Sequence, residues 1–459
     1  MPAIPFGTGS YRLRSLPLSA QRLVNCYLEQ APPQAKTFAA VIQGYGVRPY
    51  LTVGSGNARG AIVVNGVLYA VVGEVLYRIT ETGLATGLGD VPGTAYVDMA
   101  GDETHLMLVT SRLGYYWNGV SVQQITDPDF PGAEWVEELD GFFIIGAPVS
   151  GKFYLSSNRN PAEWDALDFS SAERYPDDLV GAIANLGELI LFGRESFEIW
   201  TNTGNADFSF EQVGNGIGEI GILSRYAVAK AANVVIFVGH DGKVYQLNGY
   251  TPQIISIPGI EQIIEDSLDK TCFSMTWSEG GHKFVAFSFD SGTIVYDLST
   301  QLWHERKSLG FERWRPLAIL RCYDAWYVLD YYTNRIGILD AETFKEWDDV
   351  LWCSATAPPV TSENRRMIHQ RLELVFEQGV GLSSGQGADP QVMLDWSDDG
   401  GRTWSAQRFR SMGKIGEYRR RTVWNQLGQA RDRVYRYQIS DPVRRTLILA
   451  TTEAATGNY

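Results

Sequence analysis

Trp396 to Trp404 reads WSDDGGRTW. Within it Ser397, Asp399, Gly401, Thr403 and Trp404 fit the Asp-box pattern S-x-D-x-G-x-T-W without a mismatch. These residue types describe a hairpin that ties itself down. The aspartate accepts backbone N–H groups of its own turn, glycine takes the strained dihedral, and tryptophan folds back over the loop. The competing chemistry is a carbohydrate or metal site built on the same carboxylates.

Asp boxes also occur in sialidases and other propellers, as fold elements away from the reacting groups. Glycoside cleavage itself needs two carboxylates facing each other across a cleft, and a sialidase-like site needs placed arginines and a tyrosine nucleophile. Asp, Glu and Tyr are plentiful, but no spacing singles out a pair. Asp127-Pro128-Asp129 and Asp177-Asp178 read as turn residues, and Asp348-Asp349 as a strand end. The histidines, His105, His240, His282, His304 and His369, are isolated, with neither H-x-H nor H-x-x-x-H spacing. Gly214 to Gly221 (GNGIGEIG) lacks the Lys-Ser/Thr and the helix of a phosphate cradle and reads as a loop. No catalytic residue, metal ligand or cofactor site is therefore assigned.

The one basic concentration is Arg408 and Arg410, then Arg419-Arg420-Arg421, with Arg431, Arg433 and Arg436 downstream. In a strand, Arg419 and Arg421 share one face and Arg420 points away. Two readings stay open: a solvated sheet face of mixed charge, or a contact to an acidic protein or to passing DNA.

The elements that must position these residues are strands. Gly60 to Thr80, GAIVVNGVLYAVVGEVLYRIT, alternates apolar residues around Asn65-Gly66, the strongest short hairpin signal, and turns again at Gly73. Similar tracts begin at His105, Gly141, Glu188, Val234, Lys283 and Ala325. Their spacing of about 40 to 50 residues is that of propeller blades. A small sheet cannot bury both faces alone, and radial stacking covers them. The expected fold is all-β: a β-propeller-like domain of six or seven blades over 58–356, preceded by an extended arm over 1–57. Two sandwiches are the competing β-architecture. Ser19 to Leu28 is either a short helical turn or an extended segment. Ile260, Ile263, Ile264 and Leu268 predict one short surface helix between Tyr250 and Lys270. Ala357 to Thr361 (APPVT) breaks the pattern, and 357–459 alternates with period 2 as a separate, sandwich-like β-domain.

The chain has 459 residues and a net charge of -14, which argues against a surface that grips DNA throughout. The charge is uneven: Glu363 to Ala450 carries about 15 basic and about 10 acidic residues. Cys26, Cys272, Cys322 and Cys353 are far apart and read as buried free thiols. No run is apolar enough for a secretory signal or a bilayer span, so no membrane insertion is expected.

Three stretches together resemble a known family: RLVNCYLEQAP (Arg22 to Pro32), QGYGVRPYL (Gln43 to Leu51) and RGAIVVNGVLYAVVGEVLYRI (Arg59 to Ile79). They are similar to the opening of the tail hub or nozzle proteins of short-tailed bacteriophages, the "packaged DNA stabilisation" proteins. Gln43-Gly44 stands where that family usually carries Pro-Gly. The resemblance implies a non-enzymatic virion tail protein assembled in the bacterial host cytoplasm. It implies a homo-hexamer ring below the portal and its adaptor (the head-to-tail protein). The ring extends the DNA channel, lets double-stranded DNA pass, and carries a needle, fibre or spike further down. An acidic wall suits such passage by repulsion. The alternative function is a glycan-binding or glycoside-cleaving propeller.

Overall fold

Asn65 (φ 51°) and Gly66 (φ 72°) both take the left-handed conformation that a two-residue hairpin demands. They join Ala58–Val64 to Val67–Val72, which pair in antiparallel register with Val64 opposite Val67. Val75–Ile79 and Ala85–Asp90 complete a four-stranded sheet. This is blade 1. The computed structural model describes residues 3–172 and 177–456. Residues 1, 2 and 457–459, the ends of the expected arm and C-terminal domain, lie outside the described residues.

Five further blades follow, over 98–124, 135–171, 179–218, 228–254 and 273–306. The seventh is built from Pro316–Cys322, Ala325–Asp330 and Arg335–Asp340, and its fourth strand is Gly46–Thr52, contributed from before blade 1. The propeller thus has seven blades, the larger of the two expected numbers, and its ring is closed by non-local pairing. Each blade's second strand is almost wholly buried, as in Leu106–Thr110 and Val234–Val238, because neighbouring blades cover both of its faces.

Gly214 to Gly218 differs from the expected loop. It lies inside the outer strand Phe210–Gly218 of blade 4, where a register shift opposite Glu198 and Trp200 absorbs the extra residues. A Cβ at Gly216 would stand 2.7 Å from the Ile199 side chain. Gly216 and Gly218 admit close packing, and the stretch builds no phosphate cradle.

The surface helix is Pro258–Glu265. Proline in its first turn needs no N–H partner, and Lys270 Nζ donates to the carbonyls of Ile264 and Glu265 at its end. Ile260 and Ile264 are buried, whereas Leu268 falls beyond the helix and is exposed.

Two sheets form the sandwich. One runs in the order Ala20–Val24, Cys353–Thr356, Asp432–Ile439, Gln391–Ser397, Arg408–Ser411. The other runs Cys26–Gln30, Ala39–Gln43, Leu447–Thr456, Met367–Phe376, Thr422–Asn425. Ser19 to Leu28 is therefore extended. At Asn25 (φ 57°) the chain steps from one sheet to the other. Between the sheets lie Leu23, Leu28, Leu372, Leu374, Leu394, Trp424, Tyr435 and Tyr437, all buried. The four cysteines are free and buried.

Sandwich and propeller are stitched edge to edge. Val24 pairs in parallel with Glu305 in the outer strand of blade 6, so one sheet continues from blade 6 into the sandwich. Arg22 forms a 2.5 Å ion pair with Glu305. The buried Asn25 amide donates to the Lys307 and Trp352 carbonyls, each at 2.8 Å, and its oxygen accepts the Lys307 N–H. Arg445, also buried, donates to the carbonyls of Phe344, Leu351, Ile439 and Val443.

Candidate functional site

Propellers bring their innermost strands to a common axis, and here the axis is plugged. Arg225, in the connection between blades 4 and 5, donates to Asp98 Oδ2 on blade 2 through Nε (2.9 Å) and Nη2 (2.6 Å). Its Nη1 reaches the Ala182 carbonyl on blade 4 (2.9 Å), and Glu137 of blade 3 lies 3.7 Å away. One guanidinium thus bridges the innermost strands of three blades. Beside it, residues of all seven innermost strands line a cavity of about 220 Å³. Burial pushes the Glu137 carboxyl up to about 7, against the opposing pull of Arg225. The two axial carboxylates share one cation and act as a tie between blades. None of Arg225, Asp98 or Glu137 was singled out by sequence, because their local stretches carry no motif.

The Asp box is the turn between Gln391–Ser397 and Arg408–Ser411, where Gly400 and Gly401 pack against Pro17 and Ala20. Ser397 Oγ donates to Asp399 Oδ1 (2.6 Å) and accepts the Gly401 N–H (2.7 Å). Asp399 accepts the Arg402 and Thr403 N–H groups and the Thr403 hydroxyl. Trp404 lies against Arg436, whose guanidinium is 3.8 Å from its ring centre. Every acceptor position on Asp399 is turned inward on its own hairpin, which leaves it poorly placed to hold a ligand. The Ser397 and Thr403 hydroxyls, with the Thr403 N–H, hold the Asp399 carboxyl far below the usual carboxylate range. A carboxylate with a depressed folded pKa contributes stability above its unfolded pKa and loses it only as pH falls through the folded one. Asp399→Ala is accordingly expected to speed hydrogen exchange at the Arg402 and Thr403 amides at neutral pH, while exchange in the propeller stays unchanged.

Arg408 and Arg410 lie on the outermost strand of the first sandwich sheet, which has a free edge. Arg410 is held by the Phe409 and Val423 carbonyls, and Arg408 lies over Trp396 (4.8 Å). Arg419, Arg420 and Arg421 are in a turn and the loop before Thr422–Asn425, not in a strand, so the expected alternation of their faces does not arise. The left-handed Gly413 and Gly416 bend the chain there, and Arg421 turns back to Glu373 at 3.4 Å. The downstream arginines are separate. Arg433 pairs with Asp398 and Arg436 with Asp395, while Arg431 is exposed.

The histidines serve the fold. His282 Nδ1 is 2.7 Å from Asp297, and burial pushes His304 down to about 3 and His369 down to about 4. Among the described residues no group of three or more His, Cys, Asp or Glu is placed to hold a metal, and no helix is long and apolar enough to cross a membrane.

Residues 3–344 match the family described as Bacteriophage P22 Gp10, beta-propeller. Residues 353–455 match the family described as Bacteriophage P22 Gp10, beta-sandwich. No curated protein matches the sequence. Solved structures with a similar fold include the propeller domain of Cps50 (Swd1) from Myceliophteria thermophila, at 10% identity over 64% of this chain and 98% of that one, TM-score 0.43. Another is virginiamycin B lyase from Staphylococcus aureus, at 9% identity over 62% of this chain and 94% of that one, TM-score 0.43. With TM-scores under 0.5 these two likenesses carry no argument about function.

Proposed function

Because this chain belongs to the bacteriophage P22 Gp10 family, the tail nozzle and stabilisation proteins of short-tailed phages, we propose that it is a non-enzymatic nozzle subunit. Six copies form a ring below the portal adaptor, extend the DNA channel, and help retain and then release the packaged genome. The observation that carries this reading is family membership across both domains, 3–344 and 353–455. Assembly takes place in the host cytoplasm, and a needle, fibre or spike docks on the distal side.

The plugged axis bears on how such a ring handles DNA. A cavity of about 220 Å³, bridged by Arg225, holds a few waters and no duplex. Double-stranded DNA therefore passes between copies, along outer faces of the subunits, and each propeller is a solid wall element. An acidic wall repels phosphates and lets the duplex slide. A rigid junction between propeller and sandwich suits a ring that must hold against internal pressure.

Cryo-electron microscopy of purified parent particles, with mass spectrometry to identify the chain, tests the proposal. The expected result is a six-fold ring below the portal, with DNA density at the ring centre and none along the propeller axes. Absence of the chain from particles, or its location at a glycan-binding tip, overturns it.

A further inference from the structure

Two surfaces of this chain are unpaired and complementary, and they lie far apart. The first is the sandwich tip over 408–421. Among the described residues Arg408, Arg410, Lys414, Arg419 and Arg420 form no ion pair, and Glu417 is the one acid in this stretch. Large apolar side chains accompany these charges: Phe409, on the opposite face of the strand from Arg408 and Arg410, is 52% exposed, Ile415 60% and Tyr418 69%. A surface that only neutralises phosphates has no use for exposed Ile and Phe. This mixture of basic and apolar groups is that of a protein contact with a charged rim.

The second surface is on the outer strand of blade 3, Asn160–Ser171. There Trp164 pairs with Ser156 and Phe169 with Tyr154, so residues 165–168 are extruded from the ladder as a bulge. The bulge reads Asp165-Ala166-Leu167-Asp168. Leu167 is 82% exposed, and the Asp165 carboxylate caps its N–H at 2.8 Å, which sets the shape of the knob. Among the described residues Glu163, Asp165 and Asp168 form no ion pair. Acidic groups flanking one protruding leucine are the reverse image of basic groups flanking exposed aromatic and aliphatic side chains.

We propose that the basic tip of one copy docks on the acidic blade 3 knob of the next copy. The proposal rests on the ring reading above and names its interface. Blade 3 is three blades round the propeller from blade 6, where the sandwich is attached. The tip lies on the strand of the shared sheet furthest from blade 6. The two patches cannot meet within one chain. Two different patches that fit each other make a heterologous contact, the kind that closes into a ring by rotation.

The test uses the full chain and two pairs of changes. Leu167→Cys with Ile415→Cys places a thiol on each patch, and the four native cysteines are buried and stay out of the reaction. Mild oxidation at a concentration where native mass spectrometry finds wild-type oligomers is expected to give covalent multimers larger than dimers from the double variant. Neither single variant gives them. In the second pair, Asp165→Lys/Asp168→Lys and Arg410→Glu/Arg419→Glu each weaken assembly at least about tenfold, and the combination restores it. Wild-type rings with no multimer ladder and no rescue overturn the interface while the ring reading stands. A tip reversal that leaves oligomers intact but lowers salt-sensitive duplex DNA retention also overturns it, and assigns the tip to DNA. A wild-type chain that forms no oligomer, alone or in particles, removes the ring reading and the interface together.

Discussion

Arg445→Met is expected to lower unfolding free energy by roughly 3–5 kcal/mol and to split one calorimetric transition into two. Arg445 is 2% exposed and its guanidinium serves four carbonyls. Two of these, Phe344 and Leu351, are on the segment leaving the propeller, and two, Ile439 and Val443, are in the sandwich. Methionine keeps much of the volume and none of the donors. Three buried carbonyls and one half-buried carbonyl, that of Phe344, then lose a partner, and each unsatisfied buried group costs about 1–3 kcal/mol before relaxation. The loss falls on the seam, so the sandwich melts ahead of the propeller. Differential scanning calorimetry reads this directly. A single transition at the wild-type temperature would show that Arg22, Asn25 and the shared sheet hold the seam without Arg445.

The seam also shows how far the sequence could be read. Each blade hairpin is local, and its signal is short: Asn65-Gly66 between alternating apolar residues needs no distant partner to be recognised. The seven tracts spaced at blade period follow from that, as does the short helix at Ile260 and Ile264. The strand Ala20–Val24 is different. It pairs with Cys353–Thr356, some 330 residues away, and joins the ladder of blade 6 at a single residue pair. No local pattern marks such a partner, and the prolines around it read equally as an arm. Gly214 to Gly218 was opaque for another reason. Gly216 and Gly218 answer to the bulk of Ile199 and Phe197 on the neighbouring strand, which period and turn chemistry do not reveal. The Asp box was legible because the hydrogen bonds of Ser397 and Asp399 all lie within 397–403. Arg419 to Arg421 was legible as charge and illegible as geometry, since a turn and a strand edge carry the same composition. Asp98 and Glu137 come from the innermost strands of blades 2 and 3 and Arg225 from the connection between blades 4 and 5, and only the closed ring brings them together.

That axial cluster carries the second large effect. Arg225→Met is expected to cost about 3–5 kcal/mol at pH 8, the usual loss when one partner of a buried pair is removed. Asp98 and Glu137 are then left facing one cavity without their cation. The direction with pH follows from Glu137. Its folded carboxyl is already pushed up to about 7 by burial, and Arg225 is the nearest group holding it down. Without Arg225 it rises further. A carboxyl whose folded pKa exceeds its unfolded value binds more protons in the native state, so stability falls as pH rises through that window. The deficit of Arg225→Met is therefore largest at pH 8 and shrinks toward pH 5, where Glu137 is protonated. Wild type carries the same sign on a smaller scale between about 4.5 and 7. Adding Glu137→Gln to Arg225→Met removes one of the two stranded charges. It is expected to recover part of the loss at pH 8 and nearly none at pH 5. Urea unfolding of the three proteins at pH 5, 6.5 and 8 measures all of this. A loss that is the same at every pH would mean that Arg225 acts through its carbonyl and ring contacts to Ala182, Trp135 and Tyr226, and that charge at the axis does not hold the blades together.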